Sequence, residues 1–214
     1  GYDEFVLALG YRSDVIKRWL LDLNDLSGDI EIDTLDRKVT HLGESKKLSW
    51  KVIALETGMH TQTGGRIARC MKLLPGERVL ATYGDGLANV NVDKLLAFHL
   101  SHGKKATVTA VRPPARFGHM ELDGNSVVHF GEKNQSDEGW INGGFFVLNK
   151  EVFRYLDGDV DNVQWEKGPL ISIASDGQLA AYRHEGFWKC MDALRDRIEL
   201  EEIWKGGSAD WKVW

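Results

Sequence analysis

Several features are scarce or missing in this chain of 214 residues, and each absence excludes a class of protein. Two cysteines, Cys70 and Cys190, are too few for a disulfide framework. No apolar run approaches the roughly 18 residues that a membrane-spanning helix requires. The net charge is -5 and the basic residues are scattered, which argues against nucleic acid as a partner. With only 4 prolines and no low-complexity tract, we expect an ordered cytoplasmic protein that binds neither nucleic acid nor membrane.

The order of apolar segments predicts an α/β fold within one domain that spans residues 1–214. Short buried strands alternate with amphipathic helices as far as residue 111, a pattern typical of βαβ units and a mainly parallel sheet flanked by helices. The Gly124-Asn125 turn lies between two alternating runs and predicts a small β-hairpin insertion. The strands are predicted at 5–9, 30–33, 50–55, 79–83, 106–111 and 140–148, and helices at 13–23, 67–74, 92–100 and 194–204.

The stretch Ala81–Asn91, ATYGDGLANVN, places one carboxylate, Asp85, between two glycines at the end of a predicted strand. Aspartate and glycine are good turn formers, so a simple turn is one interpretation. The other interpretation is a metal site, because ligands bind at strand ends in α/β proteins and a carboxylate there can hold a metal ion. Asp85 alone does not decide between them.

Four further stretches carry polar groups next to glycines or at predicted helix starts. Each has an ordinary interpretation: a glycine-rich helix start that could bind an anion, a surface ion pair, a turn and a helix N-cap at Asp192. The stretches are TGGR at 63–66, GEK at 131–133, INGGFFV at 141–147 and GFWKCMDALRD at 186–196.

Taken together in this order, the five stretches resemble the sugar-1-phosphate nucleotidyltransferases, and within them the glucose-1-phosphate cytidylyltransferases. The resemblance also includes HGKKATVTA at 102–110, RFG at 116–118 and the WE..PL pattern at 165–170, and it runs through essentially the whole chain. It implies a Rossmann-like fold and an enzyme that joins CTP and glucose 1-phosphate to give CDP-glucose and pyrophosphate. Such an enzyme would serve polysaccharide biosynthesis, and we expect a homo-oligomer.

The resemblance also implies a role for individual residues. Asp85 and Asp192 match the pair of aspartates that binds Mg²⁺ in the family, and Lys133 joins them as a catalytic residue that carries a positive charge to the sugar phosphate. The residues that match nucleotide-binding positions are Thr63, Gly64, Gly65, Arg66, Tyr83 and Gly84, and those that match sugar-phosphate-binding positions are Gly118, Glu132, Lys133, Asn142 and Gly143.

One departure from the family leaves several interpretations open. Members of the family begin with a strand, a glycine-rich loop with a Gly-Thr-Arg motif and a downstream lysine, and no stretch here matches them. We therefore expect the first family strand to be absent, so that strands 5–9 and 79–83 either close up on each other or leave a gap for a second chain. The alternatives to an active cytidylyltransferase are a non-catalytic relative with a binding or structural role, or transfer of a different nucleotide.

Overall fold

A computed structural model of the chain describes residues 2–25, 28–42, 49–113, 118–132, 139–156 and 158–213. These residues form two compact units. The first unit contains Gly1–Pro75 and Leu156–Pro169, and the second contains Gly76–Tyr155 and Leu170–Trp214. The assignment of all 214 residues to one domain stays a prediction.

The first unit is built on two parallel strands, β1 (Glu4–Leu9) and β4 (Lys51–Glu56). The chain between them forms helix α1 (Ser13–Asp25) and an antiparallel hairpin of β2 (Asp29–Asp33) and β3 (Lys38–Leu42). The first turns of α1 are held to the end of β4, because Ser13 Oγ and Lys17 Nζ donate to Glu56 Oε1 at 2.6 and 2.5 Å. These two donors lower the pKa of the Glu56 carboxyl.

Helix α2 (Thr63–Met71) and a 3₁₀ helix (Val160–Asn162) complete the first unit. The side of α2 that carries Gly64, Gly65, Ala68 and Met71 is buried. The sequence predicts this helix only from residue 67, because two adjacent glycines have low helix propensity. The contact with the 3₁₀ helix explains why the helix nevertheless begins at Thr63.

The second unit is built on a four-stranded mixed sheet. Its order is β11 (Leu179–Arg183), β7 (Ala106–Val111), β10 (Ile141–Asn149) and β5 (Arg78–Thr82). Strand β10 is antiparallel to both neighbours and β11 is parallel to β7, so β5, β7 and β11 all run in one direction. The predicted α/β class with a mainly parallel sheet is therefore confirmed.

The remaining elements of the second unit lie around this sheet. Helix α3 begins after Asn91, whose side chain accepts the Lys94 N–H, and ends at Gly103 with φ of 68°. The predicted β-hairpin is present. The bounds are α3 (Val92–His102), α4 (Pro169–Ser175), α5 (Leu194–Lys205), a 3₁₀ helix (Lys150–Tyr155), the hairpin β8 (Gly118–Asp123) and β9 (Ser126–Glu132), and a two-stranded ribbon of β6 (Gly86–Ala88) and β12 (Trp188–Cys190).

Strand β1 pairs with β4 and strand β5 pairs with β10, in two different sheets. Of the two alternatives for these strands, pairing with each other is therefore wrong, and a gap that a second chain fills stays a prediction. Within the described part of the chain, no helix is both long and apolar enough to cross a membrane.

Candidate active site

The ribbon of β6 and β12 places Asp85 beside Asp192 in the second unit. Gly86 is the register partner of Cys190, and the Met191 N–H donates to the Asp85 carbonyl oxygen at 2.8 Å. Asp85 comes just before β6 and Asp192 comes just after β12, so both residues lie at the same end of the ribbon. This backbone arrangement is what a shared site requires, while the metal-binding role of the two side chains stays a prediction.

Asp192 is not the N-cap of α5, so that interpretation is wrong. Ala193 occupies the N-cap position, and the buried carboxylate of Asp196 accepts the Ala193 N–H at 2.9 Å. The side chain of Asp192 is exposed, and one of its oxygens accepts the Cys190 thiol at 3.2 Å. Capping of the helix therefore does not use the carboxylate of Asp192.

The chemistry of this pair fits a hard divalent cation. Asp85 and Asp192 offer carboxylate oxygens, and both residues are exposed. No group of three or more His, Cys, Asp or Glu side chains that could hold a metal occurs among the described residues. Mg²⁺ is usually held by one or two carboxylates and takes its other ligands from water and substrate phosphate.

Asn142 and Tyr83 are brought together next to this ribbon. Asn142 Oδ1 accepts the Gly144 N–H at 2.9 Å, which orients its Nδ2 to donate to Tyr83 Oη at 3.2 Å. The Tyr83 N–H in turn donates to the Gly144 carbonyl at 3.0 Å. Gly144 has φ of +80°, and a Cβ there would lie 2.8 Å from the Tyr83 ring, so only glycine fits. Tyr83, which is predicted to bind the nucleotide, thus contacts Asn142, which is predicted to bind the sugar phosphate.

Trp188 links the ribbon to strand β10. Its indole N–H donates to the Gly143 carbonyl at 2.8 Å. A Cβ at Gly143 would lie 2.7 Å from Val111 Cγ1 and 3.0 Å from the Thr109 carbonyl oxygen, so packing against β7 requires glycine here. From the sequence, Trp188 lies close to Asp192 and could wall the sugar site, but its hydrogen bond to Gly143 is not predicted. That contact depends on the pairing of GLA at 86–88 with WKC at 188–190, and both strands are only three residues long.

The two glycines of TGGR lie in the first unit, where packing explains them. The Gly64 N–H donates to the Val163 carbonyl at 2.9 Å, so it is not available to an anion. A Cβ at Gly64 would lie 2.7 Å from that same oxygen, and one at Gly65 would lie 2.5 Å from the Val160 carbonyl oxygen. The close approach that these glycines allow is thus to the chain's own backbone, and their nucleotide-binding role stays a prediction.

Arg66 holds the loop that follows β4. Its Nε donates to the Thr61 carbonyl at 2.9 Å, and its two terminal nitrogens donate to Thr57 Oγ1 at 2.6 Å and the Gly58 carbonyl at 3.1 Å. Thr63, at the start of the same helix, donates to Glu166 Oε2 at 2.9 Å. Arg66 and Thr63, both predicted to bind the nucleotide, therefore make their described contacts within the first unit.

The remaining predicted residues are only partly described. Gly118 begins β8 and is the register partner of Glu132 at the end of β9. Lys133 lies outside the described residues. Gly84 is exposed next to Asp85, and a Cβ there would have no atom within 4 Å among the described residues.

Residues 35–189 match the sequence pattern of a known protein family, described as nucleotidyl transferase. The chain belongs to the nucleotidyl transferase family. Curated relatives of this nucleotidyl transferase include a probable glucose-1-phosphate cytidylyltransferase of Bacillus subtilis (strain 168), 41% identical over 214 residues that cover 100% of this chain and 83% of the relative. The glucose-1-phosphate cytidylyltransferase of Salmonella typhi is 38% identical over 215 residues, covering 100% of this chain and 82% of that protein.

Solved structures support the same fold. The crystal structure of HddC from Yersinia pseudotuberculosis complexed with GMP-PN has a TM-score of 0.59 and 17% identity, and the alignment covers 93% of this chain and 77% of that one. The structure of the inositol-1-phosphate CTP transferase from T. maritima has a TM-score of 0.59 and 13% identity, with coverage of 100% and 79%. At such low identity these likenesses concern the fold of the nucleotidyl transferase alone.

Proposed function

We propose that this nucleotidyl transferase is a glucose-1-phosphate cytidylyltransferase, which joins CTP and glucose 1-phosphate to give CDP-glucose and pyrophosphate. Support comes from relatives of that name that are 38 to 41% identical over the whole chain. The structural observation that carries the proposal is the Met191 to Asp85 hydrogen bond, because it brings two carboxylates that are distant in sequence to one end of a ribbon.

In this reaction a phosphate oxygen of glucose 1-phosphate attacks the α-phosphorus of CTP. A bond forms between them, the bond from the α-phosphorus to the bridging oxygen breaks, and pyrophosphate leaves with that oxygen. The protein is asked mainly to position the reactants and to neutralise charge. Asp85 and Asp192 would hold Mg²⁺, which would supply positive charge to the phosphates when bound.

The other residues of the second unit would position the sugar. Asn142 carries an amide suited to sugar hydroxyls, and its orientation is fixed by the Gly144 N–H and Tyr83 Oη. Trp188 fixes the ribbon to the Gly143 carbonyl, so the two carboxylates are held relative to Asn142. Lys133 would contribute positive charge to the sugar phosphate.

Pyrophosphate release tests the proposal. The chain is incubated with Mg²⁺, glucose 1-phosphate and each of CTP, UTP, GTP, ATP and dTTP, and the sugar nucleotide formed is identified by mass. We expect turnover with CTP and formation of CDP-glucose. Faster turnover with another triphosphate would replace the proposal by transfer of a different nucleotide. Neither turnover nor binding of any triphosphate would overturn it in favour of a non-catalytic relative.

A further inference from the structure

Two arginines and a tryptophan cluster at the edge of the sheet that carries Asn142. The guanidinium carbon of Arg112 lies 4.8 Å from the centroid of the Trp140 ring, and that of Arg183 lies 5.6 Å from the same centroid. Arg112 directly follows β7, Arg183 ends β11, and Trp140 directly precedes β10. The site residues assigned above do not include any of the three.

The register places this cluster on the same face of the sheet as Asn142. Ala110 is the register partner of Asn142 on one side and of Arg183 on the other. Register partners point to one face of a sheet, and alternate residues along a strand do the same. Asn142, Ala110 and Arg183 therefore share a face, and Tyr83 contacts Asn142 there.

Ala110 lies between the two polar side chains in this row, and its small side chain is buried. Alanine is the smallest side chain in that row, and it separates Asn142 from Arg183 by two strand spacings, or about 10 Å. A row of this kind presents an amide on one side and guanidinium groups on the other. It suits a ligand that has hydroxyl groups at one end and an anion at the other.

The chemistry of the cluster points to a phosphate. A guanidinium stacked on an aromatic ring keeps the N–H groups at its edge, which match the oxygens of phosphate in a planar fork. A phosphate that accepts from either guanidinium gains charge-assisted hydrogen bonds. Arg183 is exposed and makes no ion pair with a described residue.

We propose that Arg112 and Arg183, stacked on Trp140, form a phosphate-binding platform beside Asn142 in the active site. This inference rests on the proposed function for its substrates, which supply a phosphate either on the sugar or on the nucleotide. The ligand class is a phosphate monoester or a polyphosphate.

Steady-state kinetics of Arg183→Gln and Arg112→Gln test the platform and identify its ligand. Loss of one charge-assisted hydrogen bond to phosphate corresponds to a rise of about tenfold or more in KM. A rise for glucose 1-phosphate with kcat nearly unchanged assigns the platform to the sugar phosphate, and a rise for CTP assigns it to the nucleotide. If the KM of each variant for each substrate stays within twofold of the wild-type value, the proposal is overturned.

A matched control and a second measurement keep the test independent of turnover. Arg154 also stacks on an aromatic ring, that of Tyr155 at 4.8 Å, but it follows the opposite end of β10. We expect Arg154→Gln to leave both KM values unchanged. Calorimetric titration of the 214-residue chain with glucose 1-phosphate, inorganic phosphate and CTP should show weaker binding of at least one of them by Arg183→Gln and by Arg112→Gln, and unchanged binding by Arg154→Gln. If the wild type binds phosphate more tightly than Arg183→Gln does but does not turn over, the platform survives and the proposed function fails. If Arg183→Gln binds all three ligands as the wild type does, the platform fails.

Discussion

Asp85 and Asp192 lie at the surface, at one end of the β6 to β12 ribbon. The Asp85 carbonyl is fixed by the Met191 N–H, and the carboxylates themselves are exposed. Exposed surface substitutions that break no packing change stability by about 0.5 kcal/mol or less. Substitution of either residue should therefore affect catalysis much more than folding.

We expect Asp85→Asn and Asp192→Asn each to lower kcat by roughly 100-fold or more, because each removes one charge from the proposed Mg²⁺ site. Pyrophosphate release at saturating Mg²⁺ measures the effect, and urea denaturation shows that the variants fold. The double variant should be little worse than either single one, since the two residues act as a unit. Asp123→Asn, an exposed aspartate in the β8 to β9 hairpin, serves as the control. Wild-type kcat in either active-site variant would exclude the metal role.

At the scale of elements, helix α2 shows how packing overrides propensity. Alanine favours a helix over glycine by about 1 kcal/mol, so Gly64→Ala would stabilise an isolated helix. In the protein the new Cβ would lie 2.7 Å from the Val163 carbonyl oxygen. The separation of α2 from the 3₁₀ helix would have to increase.

We therefore expect Gly64→Ala to lower the free energy of unfolding by about 1 to 3 kcal/mol, the usual cost of overpacking. Urea denaturation followed by far-UV circular dichroism measures it. Gly168→Ala is the matched control in the same unit, because its Cβ would meet the nearest atom at 3.8 Å, an ordinary contact. A stabilised Gly64→Ala variant would contradict the explanation of this glycine by packing.

Helix α3 is joined to the sheet by a chain of hydrogen bonds whose direction can be derived. The Lys104 backbone N–H donates to His102 Nδ1 at 2.9 Å, so neutral His102 carries its proton on Nε2 and donates to Thr107 Oγ1 at 2.8 Å. The Thr107 hydroxyl then donates to His99 Nδ1 at 2.8 Å, and His99 Nε2 donates to Asn149 Oδ1 at 3.1 Å. Both histidines are neutral in this arrangement.

Burial is the largest cause that lowers the pKa of both His99 and His102, and the positive charge of Lys104 adds to it for His102. The hydrogen bond to Asn149 opposes part of this effect for His99. The positive charge of Arg78 acts on the pKa of His99 in the same direction as burial. Below about pH 6.5 the unfolded chain therefore binds protons that the folded chain does not. Stability is fully present above this pH and is lost as the pH falls through it towards the folded pKa values.

We expect the free energy of unfolding to fall by up to about 1.4 kcal/mol per pH unit for each such histidine over the range below about pH 6.5. Urea denaturation across this range measures the slope. His102→Asn, which keeps an acceptor for the Lys104 N–H, should have a smaller slope, and His60→Gln, an exposed histidine of the first unit, should not change it. A wild-type slope of zero in this range would contradict the hydrogen-bond assignment.

For the whole molecule, the sequence predicts elements whose signal is local and misses those that depend on distant partners. Ala106–Val111 and α3 are recovered because an apolar run and an Asn91 cap define them without tertiary contacts. Strands β6 and β12 are too short to show an alternation of apolar and polar residues. Strand β11, LAAYR, contains two alanines, which have low strand propensity. The pair of aspartates was found through the resemblance, but the contacts of Asn142 and Trp188 depend on register and could not be read from the sequence.

A ligand that binds only the folded chain should stabilise it as a whole. At 100 times its Kd, such a ligand adds about 2.7 kcal/mol to the free energy of unfolding. For a chain of this length we expect a rise in Tm of about 5 to 10 °C with CTP and Mg²⁺ together. Differential scanning fluorimetry at several CTP concentrations measures it, and the shift should grow with the logarithm of concentration.

The aspartate variants separate metal-dependent binding from other stabilisation by the nucleotide. Since Asp85 and Asp192 are proposed to hold the ion, the double variant Asp85→Asn/Asp192→Asn should lose the part of the shift that requires Mg²⁺ and keep whatever CTP gives alone. The Asp123→Asn control should retain the full shift. An identical Mg²⁺-dependent shift in the double variant would place the ion elsewhere on the molecule, and no shift with any triphosphate would argue against nucleotide binding by the chain.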